Sequence, residues 1–278
     1  MMSAFEPWDE YRHVVRSYNG GWRIGQGVSC HGHSIMEDLA GKISYMQMLV
    51  LNVTGKIPPR RLADWLEARQ ICMSWPDPRI WCNHIGALAG SLRTSSAAAT
   101  TAGILASDSH AYGGPRTAIT GAAFIQQALH DHHQGMSADD IIEKACRAHK
   151  GKPHMMGYAR PIAKGDERID AMQTVSKQLG FETGPHLLLA YEIEAALQRS
   201  HDESMNLNGY SSAFLSDQGL SGYEISCISA TLVASGVTAC YVDTMKRPAE
   251  TFNALRCDDV AYEGSLPRKL KKEHEDVI

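Results

Sequence analysis

The sequence predicts an all-α protein, because its apolar residues recur at helical spacing and the alternation typical of strands is hard to find. The helical spacing is clearest in two runs: Met36, Leu39, Ala40, Ile43 and Ala122, Ile125, Ala128, Leu129. Glycine and proline interrupt these patterns at 55–59, 75–78, 113–115, 135–137, 157–161, 184–185 and 219–222. Breaks of this kind divide the chain into about nine or ten helices of ordinary length.

Two predicted helix starts carry recognisable signals. Ser137 and Asp140 have the spacing of a capping box. Pro59 suits the first turn of the helix that carries Leu62, Trp65 and Leu66, because the N–H that proline lacks is not needed there. We interpret both signals as parts of the scaffold.

Composition and charge bound the class of protein. A chain of 278 residues with 44% hydrophobic residues can bury a full core, as one large domain or two small ones. The 27 basic and 31 acidic residues give a net charge of -4 without a long block of one sign, so neither nucleic acid nor an anionic membrane is expected as a partner. The basic run 268–272 is followed by acidic residues and is interpreted as a solvated end.

Targeting and redox signals are also weak. The N-terminal residues lack the basic start and apolar stretch of a secretory signal, and no apolar run is expected to approach the ~20 residues that cross a bilayer. The seven cysteines include no C-x-x-C pair, which favours reduced thiols over a disulfide framework or a zinc site. We therefore expect a soluble, cytoplasmic protein.

Four segments carry motifs, and their order along the chain is informative. The first runs from Gly27 to Ala40 and continues through Ser44-Tyr45 to Gly55-Lys56-Ile57-Pro58. The others are 111–118 (AYGGPRTA), 157–161 (GYARP, with Lys164 and Arg168 downstream) and 206–211 (NLNGYS). In this order they resemble the R-G-Y-P-I-E-E-L-like start, the L-H-G-G-A-N-E-A turn, the G-F-G-H-R-V-Y-K loop and the N-V-D-F-Y-S helix start of the citrate synthase superfamily. The length is similar to that of the short members, such as citryl-CoA lyases.

The resemblance implies a fold and an assembly. It implies a large helical domain formed by residues 1–120 and 231–278, a smaller helical domain formed by residues 121–230, and an active site in the cleft. It also implies a homodimer. No resident cofactor is expected, although a coenzyme A thioester could be the substrate.

The chemistry of the family needs a carboxylate base that takes a proton from acetyl-CoA and a donor that stabilises the enolate oxygen. At the base position this chain has Asn208, an amide that cannot accept the proton. At the donor position it has Tyr112, which could hydrogen-bond an oxyanion or simply fill the cleft as a buried side chain. At the second histidine position it has Arg160, which is suited to binding a carboxylate or phosphate but not to delivering a proton.

The substrate-binding positions of the family are matched unevenly. The expected Asp-His pair falls at Asp77-Pro78, and the late helix that should carry an arginine reads 231–236 (TLVASG). Arg256 is a candidate for the C-terminal arginine, although Asp258 and Asp259 blur the register. No dicarboxylate site of the family type is expected.

Two cations could bind the phosphates of coenzyme A. Lys164 and Arg168 lie in the loop where the family binds the nucleotide. The alternative is that they are an exposed pair that balances Asp166 and Glu167.

Other residues could form a site of another kind. His130, Asp131, His132 and His133 could suggest a metal site, but adjacent helix positions point in different directions, so we favour a solvated helix end and expect no metal. Single histidines occur in or beside the cleft motifs: His31, His84, His110 and His154. His31 and His84 are candidates for substrate binding, and His110 could supply the catalytic imidazole that the Tyr112 turn lacks. The alternative for each is a structural histidine. Ser211 and Ser212 would suit a hydrolase only with a nearby histidine.

Three functions remain open on the sequence alone. The first is a carbon–carbon lyase or synthase that acts on an acyl-CoA or a related small carboxylic acid. The second is a noncatalytic paralogue that binds a metabolite or a partner, and the third is an enzyme of another class that reuses the cleft. The sequence argument for the fold and the argument for the chemistry use different residues, so the fold does not fix the function.

Overall fold

The structure, a computed structural model, describes residues 6–109, 112–160 and 164–269. Its helices are α1 Glu6–Asp9, α2 Tyr45–Thr54, α3 Arg60–Cys72, α4 Trp81–Ser91, α5 Ser96–Ser107, α6 Thr117–His133, α7 Ala138–Ala148, α8 Glu167–Gln178, α9 Pro185–His201, α10 Leu207–Asp217, α11 Gly222–Ser229 and α12 Ala234–Met245. The prediction of an all-α protein is confirmed. The last three residues of the basic run at 268–272 lie outside the described residues.

A small sheet near the N-terminus was not predicted. Three antiparallel strands, β1 Gly20–Arg23, β2 Gly27–Cys30 and β3 His33–Ser34, pair in the order β1-β2-β3. Strands of two to four residues are too short to show an alternating pattern, and β1 is exposed throughout. The sheet is a local addition to a helical protein.

The seven predicted glycine- and proline-containing breaks agree with observed helix boundaries. Each lies between two helices, and two of them extend to the first residue of the next helix, Pro185 in α9 and Gly222 in α11. Ser137 and Asp140 form the predicted capping box, and Ser44 with Gln47 forms another at the start of α2. Pro59 is the N-cap residue of α3, one position before the first turn where it was predicted. A side-chain hydrogen bond at the N-cap thus marks the start of six helices, α2, α5, α7, α8, α10 and α11.

The main core joins α2 and α3 to the helices from α6 to α11. At its centre Trp65 is fully buried and stacks on Phe214 with 4.0 Å between ring centroids. The indole N–H of Trp65 donates to Ser176 Oγ at 2.8 Å, and Ser176 also contacts the Tyr210 hydroxyl at 3.0 Å. A buried tryptophan and tyrosine thus have polar partners, as burial requires.

A second packing unit consists of α4, α5 and α12, which contact one another closely. The stretch Gly222–Met245 is long and apolar enough, by length and composition, to cross a membrane, contrary to the expectation that no such run exists. In the structure this stretch forms α11 and α12, which pack against α6 and against α4 and α5 respectively. We therefore interpret it as a pair of core helices.

Candidate active site

Three segments that carry the cleft motifs meet around the start of α10. Asn206 caps this helix, because its Oδ1 accepts the backbone N–H groups of Asn208 and Gly209 at 2.9 and 3.2 Å. Its Nδ2 donates to the carbonyl of Ala159 at 2.7 Å, and its own N–H donates to Gly157 O at 2.9 Å. Asn206 thus holds the 157–160 loop against the N-terminal end of α10, where backbone N–H groups are otherwise unpaired.

The loop can approach α10 so closely because glycine occurs on both sides. Gly157 has a φ of +99°, and a Cβ built on it would lie 2.6 Å from the Cα of Gly209. A Cβ on Gly209 would lie 2.3 Å from the carbonyl oxygen of Gly157. Neither position has room for a side chain, so the two backbones are in direct contact.

Asp166 is the buried centre of the charge network beside this contact. Its Oδ1 and Oδ2 accept hydrogen bonds from Nε and Nη2 of Arg168 at 2.7 and 2.6 Å. Its Oδ2 also accepts the N–H of Leu207, the first residue of α10, at 2.8 Å. Arg160 lies 3.8 Å from the same carboxylate, whose side chain is fully buried. One carboxylate therefore joins the loop, α8 and α10.

Two opposing effects set the pKa of Asp166. Burial raises it, because the charged form loses water. The hydrogen bonds and charge of Arg168, the N–H of Leu207 and the charge of Arg160 lower it. The lowering effects are larger together, so the pKa of Asp166 lies below its ordinary value and the side chain is a carboxylate at neutral pH.

Arg160 is neutralised by carboxylates of its own chain. Its Nη1 is 2.6 Å from Oε2 of Glu167, and only 10% of the Arg160 side chain is exposed. The hydrogen bond to Glu167 and the charges of Glu167 and Asp166 raise the pKa of Arg160, although burial opposes them. Glu167 is 73% exposed. An anionic ligand at Arg160 would therefore compete with the Glu167 carboxylate.

Asn208 connects α10 to the start of α6. Its Nδ2 donates to the carbonyl of Thr117 at 3.2 Å. Gly121 lies on the next turn of α6, and a Cβ there would be 2.9 Å from the Asn208 amide nitrogen. The amide is thus used as a donor in a tight helix contact, a role that an aspartate could not take while ionised.

Tyr112 lies in the turn before α6 and faces solvent. Its ring stacks on Trp81 with 5.1 Å between centroids, and 59% of the residue is exposed. The alternative that it is a buried side chain filling the cleft is therefore wrong for the chain by itself. The Tyr112 side chain is therefore accessible to a ligand.

Lys164 and Arg168, the predicted nucleotide-binding cations, differ in environment. Arg168 is held by Asp166, as described above, and its side chain is only 18% exposed. Lys164 is 76% exposed and forms an ion pair with Asp202. The alternative was that Lys164 and Arg168 balance Asp166 and Glu167. Of these pairings the structure has Arg168 with Asp166, whereas Glu167 pairs with Arg160 and Lys164 pairs with Asp202.

Three predicted substrate-binding residues have contacts outside this region. His31 lies in the turn between β2 and β3 beside Gly55, and its Nε2 is buried without a partner among the described residues. His84 contacts Pro78 O at 3.0 Å and packs on Phe252 at 5.0 Å. Arg256 is exposed in the C-terminal segment, where its N–H donates to Asp259. None of these contacts joins them to the residues around Asn208.

The remaining candidates give no catalytic group. His110 lies outside the described residues. The hydroxyl oxygens of Ser211 and Ser212 are buried in α10 and have no hydrogen-bond partner in the described part of the chain, so no histidine activates them there. The ring of His132 contacts the carbonyl of Met136 at 2.9 Å at the end of α6.

Potential metal ligands are scattered. Within the described ranges, no three His, Cys, Asp or Glu side chains lie close enough together to hold a metal ion.

Comparison with known structures gives the fold. The chain superimposes on citryl-CoA lyase from Hydrogenobacter thermophilus with a TM-score of 0.77 and 21% identity, over 94% of this chain and 99% of that one. The chain has the citrate synthase fold. ATP citrate lyase from Methanothrix soehngenii matches with a TM-score of 0.72 and 15% identity over 97% of this chain. Citrate synthase from Thermoplasma acidophilum matches with a TM-score of 0.61 and 16% identity over 82% of this chain.

The extent of these matches differs. This chain spans 45% of the ATP citrate lyase chain and 59% of the citrate synthase chain. No family model matches the sequence, and no curated protein matches it. The citrate synthase fold is therefore recognised here through its structure and through short motifs, at low sequence identity.

Two residues that hold this site together are not among the predicted site residues. Asp166 is predicted only to pair with a nearby cation, and Asn206 is named only as part of a motif. A signal for Asn206 exists, since asparagine before a predicted helix is a preferred N-cap. Nothing in the sequence signals that Asp166 is buried, because its neighbours Gly165 and Glu167 are typical of a surface loop.

Proposed function

We propose that this chain is a divergent carbon–carbon lyase or synthase that acts on an acyl-CoA or a related small carboxylic acid. Coenzyme A enters this proposal as part of the substrate and not as a resident cofactor. The observation that carries it is the end-to-end match with citryl-CoA lyase from Hydrogenobacter thermophilus, which spans 99% of that chain. The contacts that join the motif segments 157–160 and 206–211 and the start of α6 support it further.

In this proposal Arg160 binds the anionic group of the substrate. A guanidinium pairs well with a carboxylate or phosphate through two parallel hydrogen bonds. Its present partner Glu167 is mostly exposed, so the carboxylate can rotate into water when a ligand arrives. Tyr112, with an accessible side chain, is the proposed donor to a developing oxyanion.

The proposed route cannot use residue 208 as the base. The amide of Asn208 has no proton-accepting capacity at physiological pH, and its nitrogen is engaged with Thr117. We therefore expect no citrate from acetyl-CoA and oxaloacetate in a coupled assay, for which a known citrate synthase in a separate reaction is the positive control. Citrate formation that disappears in Asn208→Ala would contradict this expectation.

Calorimetric titration with coenzyme A and acetyl-CoA tests the ligand class. We expect micromolar binding by the wild type and at least about tenfold weaker binding by the double variant Arg160→Ala, Lys164→Ala, because each charge-assisted contact contributes about 1.5–3 kcal/mol. Lys177→Ala, which removes a positive charge from the last turn of α8, is the matched control and should bind as the wild type does.

Each outcome of the titration is informative. Binding that is lost only in the double variant would direct the search towards thioester substrates. If neither ligand binds the wild type, the acyl-CoA proposal fails.

A noncatalytic role is the second candidate, and one observation favours it. Arg160 is neutralised and the Asn208 amide is fixed in a helix contact, so both positions can be explained by structure alone. A noncatalytic paralogue should keep its role in the Arg160→Ala and Asn208→Ala variants. An enzyme should lose turnover in them while circular dichroism remains unchanged.

The assembly and location belong to the same proposal. We propose a cytoplasmic homodimer, as the resemblance implies. Apolar side chains on α5 and the N-terminal segment support a partner surface, since Leu105 is 73% and Trp22 66% exposed in the single chain. Light scattering on the purified protein would measure the mass of the particle, and a monomer would contradict the proposal.

A further inference from the structure

A groove lies at the end of α7, separate from the residues around Asn208. It has a volume of about 600 Å³. Its lining consists of Ala148, His149, Lys150, Lys152, Pro153, His154 and Glu203. We name it the basic groove, because four of these seven residues are lysine or histidine and only Glu203 is acidic.

The turn that forms the basic groove is built from local hydrogen bonds. The N–H of Gly151 donates to Cys146 O at 2.8 Å and that of Lys152 donates to His149 O at 3.2 Å. Lys150 has a φ of +56°, a conformation that few side-chain-bearing residues adopt. The hydrogen bonds thus hold the two lysines in a defined turn after the helix.

The two lysines of the basic groove differ from the basic residues around it in their ion pairing. Nearby Lys144, Arg147 and Lys164 each form an ion pair, with Asp131, Glu143 and Asp202 respectively. Lys150 and Lys152 have no such partner in the described part of the chain. His149 and His154 meet edge to face with 4.9 Å between ring centroids.

We propose that the basic groove binds a multivalent phosphate ester. Clustered ammonium and imidazole groups are suited to phosphate oxygens, which accept several charge-assisted hydrogen bonds at once. A single carboxylate ligand would use only part of this set. All four lysine and histidine side chains are exposed, which leaves them accessible to such a ligand.

The position of the groove indicates two sources for the phosphate. Glu203 lines it, and the next residue, Ser204, accepts the N–H of Ala159 at 2.8 Å, beside Arg160. One short segment thus separates the groove from the Arg160 loop. The ester is either the phosphate end of a coenzyme A ligand held at that loop, which rests on the proposed function, or a free nucleotide, which does not.

Calorimetry with adenosine 3′,5′-bisphosphate and ADP tests the binding itself. We expect the double variant Lys150→Gln, Lys152→Gln to bind at least about tenfold more weakly than the wild type, and both to weaken as salt increases. The matched control is Lys177→Gln, Lys246→Gln, which removes the same charge elsewhere and should bind as the wild type does. If the wild type binds neither compound, or the groove variant binds as well as the control, the proposal is overturned.

A second titration with coenzyme A separates the sources. Weaker coenzyme A binding in the groove variant assigns the groove to the phosphates of the substrate. Unchanged coenzyme A binding, with weaker ADP binding, assigns it to a free nucleotide. If coenzyme A fails to bind the wild type while ADP binds in the groove, the proposed function fails and the phosphate site remains.

Discussion

Asp166→Asn is expected to lower the free energy of unfolding by about 3–5 kcal/mol, the cost of breaking a buried ion pair by removing one partner. The variant keeps the shape of the side chain but leaves Arg168 and Arg160 facing each other without the shared negative charge. It also weakens the contact to the N–H of Leu207. Urea denaturation followed by circular dichroism measures the change.

The control for this variant is Glu167→Gln, which removes the neighbouring exposed carboxylate. Because Glu167 is 73% exposed and Arg160 keeps the Asp166 carboxylate 3.8 Å away, this control should lose much less stability. Similar losses in the two variants would show that Asp166 is not the buried centre of the network.

The same residue gives a pH dependence. The pKa of Asp166 is lower in the folded protein than in the unfolded chain, so its stabilisation is fully present above the unfolded value of about 3.9. It is lost as pH falls below that value towards the folded pKa. Below about pH 4 the free energy of unfolding should therefore fall less steeply with decreasing pH in Asp166→Asn than in the wild type.

Gly157→Ala is expected to destabilise the protein by about 2–5 kcal/mol, from two separate costs. A φ of +99° costs a residue with a Cβ roughly 1–2 kcal/mol. The new Cβ would also lie 2.6 Å from the Cα of Gly209, and relieving such overpacking costs typically about 1–3 kcal/mol. Since backbone is on both sides, the 157–160 loop must move away from α10, and Arg160 with it.

The control for Gly157→Ala is Gly180→Ala. Gly180 has a φ of +68°, but a Cβ there would meet nothing within 4 Å. It should cost only the conformational part, about 1–2 kcal/mol. If thermal unfolding gives the same shift for both variants, the close contact between Gly157 and Gly209 does not constrain the loop.

Helix boundaries illustrate how much the sequence could predict. Breaks with glycine or proline were all located, because these residues fix or free the backbone locally. Three breaks were not predicted: those between α4 and α5, between α9 and α10, and between α11 and α12. In the first two the left-handed residues are Arg93 and Asp202, with φ of +60° and +56°.

Tertiary contacts explain the unusual residue at one of these breaks. The guanidinium of Arg93 donates to the carbonyls of Thr244 and Met245 at 3.3 and 2.9 Å, at the end of α12. These contacts come from residues about 150 positions away in the chain. No local pattern could indicate that they stabilise a strained backbone at Arg93.

The candidate site, too, was predicted from the sequence only in part. The motifs at 157–161 and 206–211 located the segments that meet, and the identity of residue 208 excluded the family's base by chemistry alone. The ion-pair partner of each charged side chain depends on packing. The sequence predicts that Arg160 and Arg168 each bind an anionic group of a ligand, but in the structure Glu167 pairs with Arg160 and the buried Asp166 pairs with Arg168.

The helical class, the places where glycine and proline end helices, and the loss of a carboxylate at position 208 follow from the amino-acid sequence, since each is a property of residues and their near neighbours. The three-dimensional packing shows that Asp166 is buried, that Tyr112 is exposed on Trp81, and that Lys150 and Lys152 line one groove. Burial and charge pairing depend on which distant segments meet, and patterns of neighbouring residues do not indicate those contacts.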